Sequence, residues 1–385
     1  MGLTTVFEYF PMLEIWSKWI IGHGVLRSKL KKFLLKGRSS YILQDCNAKN
    51  KFFAYLDSLN IQNGDILILH SSMDEMANIG VDAIGLIRYF LEKLGEEGTL
   101  VVPTFPLYPK DWSQPLVFDK QRTVCWTGLL PNMFLRYPGV VRSEFPYNTL
   151  SAVGKHAQEM MKDNLVDKMA YGPHSAWTYC ITHHAKVLLL GTPAFHTTTI
   201  AHIPEDMMGD KWPIRNFHVK QDFILRNSEG DKEFTAFLRN ETWGKYIKSH
   251  QRTRMLRQHG LLYESHCLDV YVGFIEDAKK VVDFLTKRAL DGKTMYYVPR
   301  KYRKKISVAM AVYNGEHYLA EQLDSILCQL RYDDELVVSV DSSKDGTMDI
   351  LERYASLDHR IKVYKNPYSP GVVHNFQNAL EHTIG

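Results

Sequence analysis

The stretch KVLLLGTPAFHTTTIAHIPED (residues 186–206) runs from an unbroken apolar segment through a glycine and a threonine cluster to the spacing His202-x-x-Glu205. A short apolar run closed by a glycine reads as a strand buried on both faces, since a half-buried strand alternates polar and apolar residues. Working outward, ILILH (66–70) and GTLVVPTF (98–105) have the same character. Between them, AIGLIRYFLEKLG (83–95) has the spacing of an amphipathic helix stopped by a glycine. Buried strands alternating with helices define the α/β class, a sheet covered on both faces. In open sheets of this kind ligands bind beyond the carboxyl ends of the strands. Those ends carry His70, Ser71, Ser72, Thr104 and Thr192, and the threonine run leads to His202. Ser and Thr are also ordinary cap and turn residues, and His70 can be a satisfied core histidine. Three polar strand ends on one sheet nevertheless favour a ligand site.

His202 and Glu205 lie where Pro204 permits a helix to begin, because proline in a first turn has no intrahelical N–H bond to lose. Residues three apart on one turn are neighbours, so Glu205 can hold one ring nitrogen of His202 while the other faces a cleft. That is the arrangement of a general base oriented by a carboxylate. The competing reading is a solvated pair at a capped helix start. A zinc set drawn from His183, His184, His196, His202 and Glu205 fits no standard spacing, and no metal is expected. Cys125 and Cys180 have no local histidine partner to activate them as acyl-accepting nucleophiles.

The chain has 385 residues, enough for two or three domains, and a net charge of +4, too small an excess to argue for nucleic acid. Its five cysteines are scattered without a CxxC pair, which reads as reduced thiols and a cytoplasmic setting. No run of apolar residues is long enough for a membrane span. The N-terminal segment 1–43 is aromatic and then basic, with Trp16, Trp19, Arg27, Lys29, Lys31, Lys32, Lys36 and Arg38. It reads either as an amphipathic helical extension lying on the inner face of the cell membrane, or as a helical hairpin packed on its own domain or on a second copy in a homodimer.

The order of segments resembles the aminoglycoside 3-N-acetyltransferase family. GDILILHSSM (64–73), GTLVVPTFP (98–106), WTGLLPNMFLRYPGVVRSEFPYNTLSAVG (126–154), YGPHSAW (171–177), KVLLLG (186–191) and TTIAHIPED (198–206) fall in the family's order, within residues 44–297. The resemblance implies an αβα-layered acyltransferase that takes acetyl-CoA, or another acyl-CoA, as co-substrate. It gives His202 the role of general base and Glu205 that of orienting carboxylate. It places the acyl-CoA arm at His70, Ser71, Ser72 and Thr104, and the acceptor at Thr149, Tyr171, Ser175 and Asp206. The chain departs from the family where Phe145 replaces a usual histidine, which is expected to reshape the acceptor side. Lys211 and Arg215 offset Asp206 and Asp210, a weak match to a polycationic drug.

A basic linker, 298–305, leads into ISVAMAVYNGEHYLAEQLDSILCQL (306–330) and a second strand–helix alternation. This part resembles the nucleotide-binding half of family-2 glycosyltransferases of the GT-A fold. Tyr313, Asp341 and Asp345 match its nucleotide-binding positions, while Val340 stands where an aspartate is common. The later metal-binding and catalytic segments of that family do not follow before residue 385, so 306–385 reads as a truncated domain expected not to transfer sugar.

Joined to such a segment, the acyltransferase is expected to act on an amino sugar or sugar nucleotide of surface-polysaccharide assembly. Acetylation of aminoglycoside antibiotics is the alternative within the same class, and a non-catalytic scaffold in a glycosyltransferase complex the alternative outside it.

Overall fold

Leu67 and Leu69 point to one side of their strand and Ile66 and Ile68 to the other, yet all four are buried, as a strand covered on both faces requires. The computed structural model of the chain describes residues 3–21, 47–299 and 302–384. The chain divides into two compact units, 1–298 and 299–385.

The first unit is built on β1 (Ile66–Ser71), β2 (Thr99–Pro103), β3 (Leu116–Asp119), β4 (Val141–Arg142) and β5 (Leu150–Gly154). It continues with β6 (Lys186–Leu190), β7 (His218–Asn227), β8 (Gly230–Arg239), β9 (Tyr263–Cys267) and β10 (Val270–Ile275). Seven of these form one sheet in the order β4-β5-β2-β1-β6-β10-β9. Only the central three, β2, β1 and β6, run parallel; the flanking pairings are antiparallel. Parallel alignment brings the carboxyl ends of β1 and β6 to one edge, with His70 opposite Leu189 and Ser71 opposite Leu190.

One face of this sheet packs on the helices Ala48–Asp57 and Ala83–Leu94 through Phe52, Leu56, Leu86, Phe90 and Leu94. Each fully buried side chain of this size contributes about 1.5–3 kcal/mol. Asp82 starts the second of these helices by accepting a bond from the Gly85 amide at 2.7 Å, and Gly95 ends it with φ 64°. A smaller sheet, β3-β7-β8, carries the hairpin β7–β8, whose strands are ten residues each and whose register sets His218 against Arg239.

The N-terminal helices Leu3–Tyr9 and Pro11–Ile21 pack on the helix Ser249–Gln258 of the same unit. The Phe7 ring meets His250 edge-on at 5.3 Å, Trp19 meets Tyr246 at 5.7 Å, and Arg254 lies 4.4 Å from the Tyr9 ring. Glu14 is buried and accepts bonds from the backbone amides of Ser249 at 3.1 Å and His250 at 3.2 Å, capping the helix that they begin. Burial raises the Glu14 carboxyl, but its bonds with His250 and Lys18 prevail and hold it at about 2. Part of the aromatic segment is thus covered by the protein itself, while Phe10, Leu13 and Trp16 stay exposed. The basic cluster from Arg27 to Arg38 lies outside the described residues. Among the described residues no helix is long and apolar enough to cross a membrane.

The second unit is a parallel sheet of β11 (Ser307–Val312), β12 (Glu335–Val340) and β13 (Ile361–Lys365), in that order. Its strands alternate with the helices Leu319–Leu327, Thr347–Leu357 and Val372–Glu381. Val312, Leu323, Leu336, Val338 and Leu351 form its core.

Candidate active site

After β6 the chain makes a turn at Gly191, a helical turn at Ala194–Thr197 and a tighter one at Thr199–His202, and then enters the helix Ile203–Met207. His202 sits at the N-cap and Pro204 in the first turn, which is how the local sequence fixes the direction of the histidine. Its Nδ1 lies 2.6 Å from Oε1 of the buried Glu205. The hydrogen-bond network therefore assigns Nδ1–H as donor to the carboxylate and leaves the lone pair on Nε2. The Tyr171 ring lies nearly parallel to the imidazole, 6.5 Å away.

Two long-range residues complete the group. Tyr296 donates its hydroxyl hydrogen to Glu205 Oε1, and Arg239, at the end of β8, places Nη1 2.9 Å from Nδ1 and 3.3 Å from Nε2 of His202. Arg239 also donates to the Tyr296 hydroxyl at 3.2 Å. Burial lowers the His202 pKa most; Glu205 acts to raise it and Arg239 to lower it further, and the net direction is down. The imidazole is consequently neutral at pH 7; with Nδ1–H given to Glu205, the Arg239 guanidinium donates to the Nε2 lone pair and has to release it before that nitrogen can act as a base. Replacing Arg239 by Gln removes a cation that disfavours the protonated ring, so the acid limb of a kcat/KM profile is expected to move to higher pH. A limb that stays in place between pH 5 and 8 shows that Arg239 does not act on the base.

Two cavities meet here. The smaller, about 200 Å³, is walled by His202, Glu205, Tyr171, Asp206, Tyr147 and Arg239. The larger, about 660 Å³, lies at the strand ends against His70, Ser71, Ser72 and Thr192. Phe105, Trp126, His196 and Thr199 belong to both walls, so the two adjoin at the aromatic pair and the threonine turn. In the larger one, His70 Nε2 and Ser71 Oγ are buried and have no hydrogen-bond partner among the described residues. Two unpaired polar atoms in an otherwise largely apolar wall fit an extended ligand that carries its own amides.

The neutral ring of His70 is the form that folds, because burial pushes its pKa down to about 4. An unfolded histidine protonates below about 6.5, so stability is full above that pH and falls as pH drops from about 6.5 to about 4. The loss amounts to about 3 kcal/mol at the acid end. Urea unfolding of the wild type and of His70→Phe at pH 7 and pH 4.5 measures it, and an equal pH dependence in the two proteins would remove His70 as its source.

The other expected site residues divide. Tyr171 and Asp206 stand in the smaller cavity, where Asp206 accepts from the Tyr171 amide at 3.0 Å and pairs with His218 Nε2 at 2.8 Å. Thr104, Thr149 and Ser175 are on neither cavity wall and work in packing instead. Thr104 Oγ1 pairs with Ser151 at 2.7 Å, Thr149 Oγ1 donates to the Thr104 carbonyl at 2.7 Å, and Ser175 caps the helix Ala176–Thr182. Phe145, expected to reshape the acceptor side, is buried edge-on against Phe234 at 5.6 Å and lines neither cavity. The Cys180 thiol is pushed up to about 12 by burial, which removes it as a nucleophile at neutral pH.

In the second unit, Tyr313 follows β11 and is exposed, while Asp341 and Asp345 lie in the loop after β12. Asp341 accepts from the amides of Ser342 at 2.9 Å and Gly371 at 2.7 Å, and Asp345 from Glu316 at 3.1 Å and the Thr347 hydroxyl at 2.5 Å. Both carboxylates thereby tie together the loops at the carboxyl edge of the sheet.

A family model described as aminoglycoside 3-N-acetyltransferase matches residues 68–289, more than half of the chain, and a model for glycosyl transferase family 2 matches residues 307–385. The chain belongs to the aminoglycoside 3-N-acetyltransferase family, with a family-2 glycosyltransferase segment beyond it. It is 30% identical over 166 residues to aminoglycoside N(3)-acetyltransferase IX of Micromonospora chalcea, a match over 39% of this chain and 58% of that protein's length. Among solved structures, aminoglycoside acetyltransferase AAC(3)-Xa superposes with a TM-score of 0.56 at 19% identity, over 64% of this chain and 94% of that one. AAC-IIIb, solved as a binary complex with CoASH, superposes with a TM-score of 0.52 at 19% identity, over 64% and 97%. These two likenesses establish the fold.

Proposed function

We propose that the first unit is an N-acyltransferase that moves an acyl group from acyl-CoA, acetyl-CoA in the first instance, to the amine of an amino sugar. The observation that carries this reading is the His202–Glu205 pair standing in a small cavity that adjoins a larger one at the strand ends. Acyl-CoA supplies a thioester-activated acyl group, and the larger cavity, with His70 Nε2 and Ser71 Oγ unpaired, is where this chain has room and polar atoms for the pantetheine arm. His202 Nε2 accepts a proton from the amine as its nitrogen bonds to the acyl carbon; the carbon–sulfur bond breaks and the proton passes to the departing sulfur. Glu205, steadied by Tyr296, stabilises the imidazolium that forms.

The acceptor has two readings. The name of the Micromonospora relative supports an aminoglycoside. The cavity wall and the attached glycosyltransferase segment support an amino sugar of polysaccharide assembly. In the wall, Glu205 is already engaged by His202 and Tyr296 and Asp206 by Tyr171 and His218, and Arg239 adds a cation. Such a wall offers a polycation no unengaged carboxylate. Thiol release from acetyl-CoA by the whole chain, measured with aminoglycosides and with nucleotide-linked amino sugars, separates the two. Faster turnover of an aminoglycoside rejects the polysaccharide reading, and no release with any amine rejects the enzyme.

A further inference from the structure

A third cavity of about 180 Å³ lies against Ala201 and Pro204, on the turn that carries the dyad, and shares no wall residue with the other two. Five cations line it: Lys248, Arg252, Arg254, Arg288 and Lys293; no carboxylate does. Arg288 ends the helix Ala278–Leu290, where a cation meets the negative end of the helix dipole. The same account fails for Lys248, Arg252 and Arg254. Lys248 stands at the N-cap and Arg252 at the end of the first turn of the helix Ser249–Gln258, the end that repels cations, and Arg254 stands in its middle, where the dipole offers a cation nothing. Glu14, which caps that end, is already taken up by the Ser249 and His250 amides and by Lys18.

The charges in this recess are poorly compensated. Arg252 is 4% exposed, and its hydrogen bonds go to neutral atoms, the carbonyls of Ala194 at 3.2 Å and Phe195 at 3.3 Å and the sulfur of Met295 at 3.7 Å. Its Nε, and the buried Nε of Arg254, have no hydrogen-bond partner among the described residues. Burial, and then the neighbouring Arg288, lower the Lys248 ammonium below its ordinary value. Desolvated like charges around one recess are unfavourable unless a counter-charge joins them. Three guanidinium groups beside two ammonium groups match the oxygens of a tetrahedral dianion, which takes bidentate bonds from arginine and point charges from lysine.

We propose that this cavity binds a phosphate group, either inorganic phosphate or the phosphate of a phosphorylated sugar. The test is calorimetric titration of the full chain at matched ionic strength with inorganic phosphate and, separately, with glucose 1-phosphate, which carries no amine to occupy an acceptor site. The wild type is expected to bind phosphate, and Lys248→Gln/Lys293→Gln to weaken that binding at least tenfold with its circular dichroism unchanged. Glucose 1-phosphate binding at least tenfold tighter than phosphate identifies a phosphorylated sugar as the ligand, and equal or weaker binding identifies the free anion. Should the double variant fail to fold, Arg288→Gln is read by the same criterion. Absence of binding up to about 10 mM phosphate, or equal binding by wild type and variant, overturns the proposal.

Discussion

His202→Gln is expected to lower the turnover of acyl transfer at least about a hundredfold while leaving the KM for acyl-CoA nearly unchanged, the usual size of effect for a lost general base. The split follows from geometry. The imidazole stands in the smaller cavity with Glu205 and Tyr171, whereas the polar atoms offered to the acyl-CoA arm, His70 Nε2 and Ser71 Oγ, are in the larger one. Glutamine keeps hydrogen-bonding capacity at position 202 but does not accept a proton near neutrality. Glu205→Gln should cost less, because the neutral base remains and only its orientation and the stabilisation of its charged form are weakened. Steady-state rates with varied acyl-CoA at pH 7.5 decide the matter. Full activity of His202→Gln would reduce the histidine to a helix-start residue whose bond to Glu205 is structural.

The parts of this arrangement that are local in sequence could be read from it, and the parts that are not could not. His202 and Glu205 are three residues apart on one turn, with Pro204 marking its start, so their pairing follows from helix geometry alone. The central strands were legible because burial on both faces removes the polar residues that would otherwise alternate. The antiparallel flanks of the sheet were not, since apolar runs carry no sign of strand direction. Thr104, Thr149 and Ser175 share the hydroxyl chemistry of a binding site, but only packing reveals that their oxygens are spent on neighbouring backbone and side chains. Arg239 and Tyr296 carry no local signal of this kind, because they reach His202 from 37 and 94 residues away. A signal for Arg239 exists: Phe234, Ala236 and Leu238 are buried in alternation behind the turn at Gly230, which marks a hairpin strand whose next residue is that arginine.

Gly191→Ala is expected to destabilise the first unit by about 2–4 kcal/mol and to raise the KM for acyl-CoA several-fold, because one glycine holds the strand end against the ligand cavity. Gly191 has φ +64°, a left-handed conformation that costs an L-residue about 1 kcal/mol. A Cβ there would lie 2.5 Å from the Ser72 carbonyl oxygen, a backbone atom that no rotamer change moves aside. The same residue donates its amide to the Tyr271 carbonyl at 2.8 Å, and Ser72 donates its own to Leu190 at 2.8 Å. The glycine is therefore held on one side by β10, while the segment it would strike is anchored to the last residue of β6. Relief has to come from displacing Ser71 and Ser72, which line the larger cavity. Urea unfolding reads the stability term, and acyl-CoA titration of the folded variant reads the second. Wild-type stability would mean that the strand end yields freely, and wild-type KM in a destabilised variant would place the acyl-CoA arm away from Ser71 and Ser72.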